Sequence, residues 1–196
     1  ISMIHQEISL MDNMTVSENI WIGREKQFQT NGLIDRKKMN RATEELLNRL
    51  GIRINPADKV KDLSIASMQM VELARAVSYE SQIIIMDEPT SALTQSEVNI
   101  LYRVVRGLSS KGTSIIFISH KLKEIFDICD RITVMRDGRY IDTCNCSAIT
   151  MNDLIRLIVG RELTQIYPPR NAASIIGNEA LHVEGLRCTG VYEDIT

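Results

Sequence analysis

Asp87 and Glu88 stand side by side at the end of the apolar run Ile83-Ile84-Ile85-Met86, and Pro89 follows at once. Two adjacent carboxylates at the end of a buried strand repel each other and are costly to remove from water. A bound cation would make the placement favourable. A second apolar run, 113–118, ends in Ser119 and His120. If the two runs are neighbouring strands, a carboxylate pair and an imidazole converge on one edge of a sheet. That set suits Mg²⁺-dependent phosphoryl transfer. Asp87 would hold the metal, usually through water, because Mg²⁺ favours oxygen donors and keeps several waters. Glu88 would orient or deprotonate an attacking water. His120 would hydrogen-bond a terminal phosphate and stabilise charge that spreads in the transition state. Taken singly, the carboxylates read as a solvated helix cap and the histidine as structural. Their combination carries the chemical reading.

The elements that must position these groups follow from pattern and capping. Ile83 to Met86 reads as a strand buried on both faces, as in a parallel sheet. Residues 2–4 read as the end of another strand. Residues 14–23 suggest a short helix with a capping box, Thr15 and Glu18. Asp35 caps a helix over 36–50 that Gly51 ends, with Met39, Ala42, Leu46, Leu47 and Leu50 at helical spacing. A helix over about 67–79 precedes the carboxylate strand. Another, capped by Thr94 and Glu97, runs to about Lys111-Gly112. A short amphipathic helix follows His120. Asp137-Gly138 marks a hairpin within 131–144, and Thr150 caps a helix over 150–161. Residues 161–179 read as a linker, and an alternating strand opens over 180–188. Strands alternating with helices give an α/β fold: a parallel sheet with the antiparallel hairpin at its edge.

Composition bounds the reading. The chain has 196 residues, 44% apolar and 24% charged, enough for one domain with a real core. A net charge of -2 and 5% aromatics give no footprint for nucleic acid or for an anionic membrane surface. The four cysteines, Cys129, Cys144, Cys146 and Cys188, lack the C-x-x-C spacing of zinc or redox sites and read as reduced and structural. No run approaches the roughly 20 apolar residues that span a bilayer.

Four blocks together resemble the ATP-binding cassette (ABC) ATPases. "IIIMDEPTSALT" is similar to the Walker B strand and D-loop of that family, and "IFISHKLKEI" to its switch strand. "MIHQE" resembles its Q-loop, and "LSIASMQMVELARAV" (63–77) stands where its signature falls. The blocks keep family order over residues 1–145. The resemblance implies a P-loop NTPase-like ABC nucleotide-binding domain whose helical subdomain, about 12–80, carries the signature. It implies ATP and Mg²⁺ as ligands. Gln6 and Asp87 would face the metal, with Gln6 also at the water. Glu88 and His120 would be catalytic. Ser64, Ile65, Ala66 and Ser67 would face the nucleotide of an opposing cassette.

The chain also departs from the family. Ile65 and Ala66 replace two glycines and Ser67 replaces a glutamine, so backbone approach to a phosphate is obstructed on the partner's site. Thr94 replaces a D-loop aspartate. No G-x-x-x-x-G-K-[ST] occurs in the 196 residues. With a start at Ile1 and an end inside a new strand, the expectation is an N-terminally truncated first cassette (1–160), the linker (161–179) and the start of a second cassette (180–196). This chain alone should bind ATP poorly.

"MQMVE", in place of the family's usual "QQRVA", resembles the monosaccharide-importer ATPases, which fuse two cassettes and are similar to galactose/methyl-galactoside and ribose importers. That implies sugar uptake across the cytoplasmic membrane, with the chain peripheral on the cytoplasmic face of the inner membrane. Implied partners are ABC permease subunits, a second cassette (fused or in trans) and, indirectly, a periplasmic sugar-binding protein, with no nucleic acid. Residues 7–31 would line the groove that receives the permease, and Trp21 and Ile22 pack either there or in the core. The first ATP site should be the more hydrolytic. Two alternatives stand: a soluble ABC ATPase acting on ribosomes or DNA, and a non-catalytic truncated cassette.

Overall fold

The computed structural model describes residues 1–30, 32–160 and 182–195. They divide into two compact units, Ile1–Ile158 and Val159–Thr196. In the first, β1 (Ser2–Ile4) leads to α1 (Val16–Trp21). The short antiparallel pair β2 (Gln29–Thr30) and β3 (Leu33–Ile34) precedes α2 (Arg36–Leu50) and α3 (Ile65–Val77). Then β4 (Ile83–Asp87), α4 (Gln95–Ser109), β5 (Ser114–Ile118) and α5 (Leu122–Ile128) alternate. The hairpin β6 (Arg131–Arg136) and β7 (Arg139–Asn145) is followed by α6 (Met151–Val159). The second unit contains the antiparallel pair β8 (Leu186–Cys188) and β9 (Tyr192–Ile195). The expected linker, 161–179, lies outside the described residues, as do the first two residues of the strand expected over 180–188; the described part of that stretch is strand over Leu186–Cys188.

Capping sets the helix limits. Thr15 Oγ1 accepts from the Glu18 N–H at 3.2 Å, and Glu18 Oε2 accepts from the Thr15 N–H at 2.8 Å, closing the expected box. Asp35 Oδ1 accepts from the Lys38 N–H at 3.0 Å. Gly51, at φ 72°, ends α2 in the left-handed conformation that glycine adopts without steric cost. On α2 it is Thr43, rather than the expected Ala42, that is buried. Its hydroxyl donates to the Met39 carbonyl at 2.9 Å and accepts from Trp21 Nε1 at 2.8 Å. A threonine can be buried there because both hydroxyl roles are satisfied. α3 starts two residues earlier than its apolar pattern suggests. Ser64 caps it, accepting from the Ser67 N–H at 3.2 Å.

The helical layer and one face of the sheet share a core: Val16, Ile20, Leu46, Leu47, Leu50, Leu73, Ile84, Met86 and Leu101 are all buried in it. The sheet is three-stranded and parallel, in the order β1-β4-β5. Ile4, Met86 and Phe117 sit in one register row, and Met3, Ile85 and Ile116 in the next. Because side chains alternate, these rows point to opposite faces. The first row packs into the core. On the second face, Met3 is 38%, Ile116 52% and Ile118 46% exposed. The expected burial of β4 on both faces is therefore corrected. Ile83 and Ile85 are only half-buried, on the face where Met3, Ile116 and Ile118 are exposed. The hairpin also differs from expectation. It forms its own two-stranded sheet and is not hydrogen-bonded to the edge of the parallel one. Ile132 and Val134 pack with Leu154 of α6 in a second, smaller core.

All four cysteines are free thiols. Burial, reinforced by the neighbouring Cys146 and Asp130, pushes the Cys129 thiol up to about 11, from an ordinary value of 9.0. Between those values an unfolded chain loses the proton while the folded chain keeps it. The stability contributed by neutral Cys129 is therefore complete below pH 9 and lost as pH rises towards 11. Denaturant unfolding from pH 8 to 11 should show this decline, and Cys129→Ala should flatten it. In the 196-residue chain, Ile84→Ala should cost about 2–4 kcal/mol and Ile116→Ala less than about 1 kcal/mol. Equal losses would mean that the two sheet faces are packed alike.

Candidate functional site

The three parallel strands end at one edge, and β4 lies between the other two. Ligands of such sheets bind beyond the carboxyl ends of the strands. Counting on from the Ile4–Met86–Phe117 row, Gln6, Glu88 and Ser119 each lie two residues farther along, with His120 next. The Glu88 N–H donates to the Ile118 carbonyl at 2.9 Å, carrying the β4–β5 ladder one residue past the strand. Glu88 then turns to φ 44°, a left-handed conformation that costs a non-glycine residue about 1 kcal/mol. Strain of this kind persists only where surrounding contacts hold it, and it concentrates at functional sites.

Both oxygens of Glu88 are engaged. Oε1 lies 2.8 Å from His120 Nδ1, and Oε2 accepts from Gln6 Nε2 at 3.4 Å. His120 keeps its second ring nitrogen for another partner. Glu88 is 24% and His120 67% exposed, so a ligand in solvent can reach the pair. Asp87, half-buried, is the last residue of β4. With its amide nitrogen committed to Glu88, Gln6 has its amide oxygen left to offer. One carboxylate and one amide oxygen, completed by water, fit Mg²⁺. They do not form a closed protein cage, and no cluster of three or more His, Cys, Asp or Glu suited to a metal occurs among the described residues.

The predicted residues Gln6, Asp87, Glu88 and His120 thus occupy one edge. Ser64, Ile65, Ala66 and Ser67 do not join them: among the described residues no hydrogen bond or ion pair links the two sets. Ser2 Oγ donates to the Ala76 carbonyl at 3.3 Å, fixing the far end of α3 against β1. At 1.5 Å per residue, Ser64 lies about 18 Å along the helix from that contact. Ile65 is 62% exposed at the helix start.

Sequence reasoning missed three polar arrangements. Glu124 accepts from Thr90 Oγ1 at 2.7 Å and from Ser119 Oγ at 3.2 Å, and pairs with Lys121 at 3.3 Å. Its three-residue spacing from Lys121 was visible, but Thr90, 34 residues away, was not. Burial, with the negative charges of Glu124 and Asp127 added, pushes the nearby Tyr102 hydroxyl up to about 12. Next, Glu72, only 3% exposed, accepts from the Ser9 N–H at 3.0 Å and from Ser9 Oγ at 3.2 Å. Arg75 Nη2 reaches Glu72 Oε2 and Ser9 Oγ, both at 2.7 Å. Finally, Arg24 lies 4.9 Å from the Trp21 ring centre and 3.8 Å from that of Tyr79, and donates to the Ser78 carbonyl at 2.8 Å. Trp21 also meets Phe28 edge-on at 5.0 Å. Trp21 is thus held by the helical layer, which favours the core over the groove, the two places left open for it.

A parallel sheet with helices packed on it, ending in such an edge, is the fold of ABC transporter cassettes of known structure. The dimeric bacterial ABC transporter cassette MJ0796 shares the fold with a TM-score of 0.62 at 21% identity, over 74% of this chain and 62% of that one. An inward-facing ABC transporter of the metal-chelate type matches with a TM-score of 0.66 at 19% identity, over 81% of this chain and 62% of that one. The family described as ABC transporter matches residues 1–91 of this chain. Over all 196 residues it is 50% identical to a ribose/galactose/methyl galactoside import ATP-binding protein 2 of Agrobacterium fabrum. It is 49% identical to the ribose/galactose/methyl galactoside import ATP-binding protein of Geobacillus kaustophilus. The chain spans 38% and 39% of the lengths of these two relatives.

The buried clasp makes a direct prediction. Glu72→Ala leaves the Arg75 guanidinium and the Ser9 N–H without their partner, and should destabilise the chain by about 2–4 kcal/mol. Glu72→Gln, which still accepts from Ser9, should lose less. Chemical denaturation ranks the two, and equal losses would deny Ser9 its part.

Proposed function

We propose that this chain supplies the water-activating side of an ATP-hydrolysing cassette in a bacterial ABC importer of monosaccharides. The observation that carries the reading is the meeting of Gln6, Glu88 and His120 at the carboxyl edge of the sheet, with Glu88 hydrogen-bonded to both neighbours. The names of the relatives support the choice of sugar uptake.

Each side chain has a role at that edge. The Glu88 carboxylate takes a proton from, or orients, the attacking water. The Gln6 amide, already aligned on Glu88, holds that water from the other side. His120 donates towards charge on the transferring group. Asp87 and the Gln6 oxygen would hold Mg²⁺, which when bound neutralises phosphate charge. The phosphate-cradling loop is not among these 196 residues, and the chain by itself is expected to bind ATP poorly. Ser64 to Ser67 serve a second cassette, fused or in trans. Ile65 replaces a bare backbone there, so the two ATP sites are unequal and the one lined by Glu88 is the more hydrolytic.

In this reading residues 1–160 belong to the first cassette, 161–179 to a linker and 180–196 to the start of the second. The cassette works with permease subunits, and through them with a periplasmic sugar-binding protein. It sits peripherally on the cytoplasmic face of the inner membrane. No helix among the described residues is long and apolar enough to cross a membrane.

The test is ATP turnover by the full-length protein beside Glu88→Gln. The variant should bind ATP and turn it over at least about 100-fold more slowly. Turnover equal to the parent would overturn the assignment of Glu88 and the ranking of the two sites.

A further inference from the structure

Glu124 lies in the first turn of α5, and its side chain is only 13% exposed. It is not one of the residues that face the water, yet it touches both loops that carry them. Its Oε2 accepts from Thr90 Oγ1 at 2.7 Å, and Thr90 is buried two residues past Glu88. The same oxygen accepts from Ser119 Oγ at 3.2 Å, and Ser119 immediately precedes His120. Lys121 completes the knot. Its ammonium lies 3.3 Å from Glu124 Oε1 and donates to the Thr90 carbonyl at 3.2 Å. Its backbone N–H donates to Ser119 Oγ at 3.0 Å.

We propose that Glu124 is a positioning residue that clamps the loop after β4 to the loop after β5, and so holds Glu88 and His120 in contact. This inference rests on the hydrolytic reading of Glu88. The need for a clamp is physical. Glu88 occupies a left-handed backbone conformation that relaxes unless held. Its contact with His120, which is 67% exposed, is of the water-screened kind that orders two loops weakly. The Glu124 network is more buried and charge-assisted, and its bonds are the stronger ones. A shift of about 1 Å in a reacting group is enough to slow an enzyme about 100-fold.

The experiment uses the full-length protein and measures kcat and KM for ATP. Glu124→Ala should lower kcat about tenfold or more and leave KM within about twofold, because the clamp acts on reacting geometry and not on nucleotide contact. Glu124→Gln should recover most of the rate, since its amide oxygen still accepts from Thr90 and Ser119. If Glu124→Ala does not fold, Thr90→Val and Ser119→Ala each remove one hydrogen bond to Glu124 and should each lower kcat at constant KM. Unchanged kcat in these variants, a rise in KM alone, or Glu124→Gln as slow as Glu124→Ala would overturn the clamp. Glu88→Gln is measured alongside. If it is slow while Glu124→Ala matches the parent, only the clamp fails. If it matches the parent, the hydrolytic reading fails and takes the clamp with it.

Discussion

Everything at this site depends on the parallel pairing of β4 with β1 on one side and β5 on the other. Parallel strands run their carboxyl ends to the same edge, so three loops distant in sequence emerge together. The register then decides which residues meet. Ile4, Met86 and Phe117 share a row, and the next few residues of each loop supply Gln6, Glu88 and His120. A one-residue slip of β4 would carry Ile84 and Met86 to the uncovered face. The apolar packing of these two side chains, 1% and 0% exposed, therefore fixes where the carboxylates point.

Around that edge, charge is distributed by depth. The Glu88–His120 pair is open to water. Two other carboxylates lie deeper and make only internal bonds: Glu72 to Ser9 and Arg75, Glu124 to Thr90, Ser119 and Lys121. A buried carboxylate is tolerable only when fully partnered, and in both places the hydroxyl partners, Ser9 in one and Thr90 and Ser119 in the other, belong to loops that leave the sheet edge. The deep acids are thus committed to internal bonds, and the shallow one stays open to solvent.

Much of this could be read from sequence, for local reasons. The limits of α2 follow from Asp35 and Gly51, and those of α1 from Thr15 and Glu18, because caps act over three or four residues. β4 declares itself as an apolar run, and Asp137-Gly138, with φ of 52° and 72°, as a hairpin turn. What failed was non-local. Composition tells that Ile85 and Ile116 are apolar, but not that their face is uncovered. The hairpin reads as sheet-edge material, yet Ile132 and Val134 find Leu154 instead. Thr90 lies 34 residues from Glu124 and Ser9 lies 63 from Glu72, and nothing at Glu88 announces a left-handed backbone.

The Ser9–Glu72–Arg75 clasp bears on how substitutions in this protein combine. Ser9 contributes both its backbone and its side chain to a carboxylate on another element, and the guanidinium that neutralises that carboxylate also grips Ser9. A change at any of the three leaves the other two in an environment suited to the original. Their effects are therefore non-additive: a second change costs little once the first has been made. Across generations, the three codons should therefore be easier to replace together than one at a time.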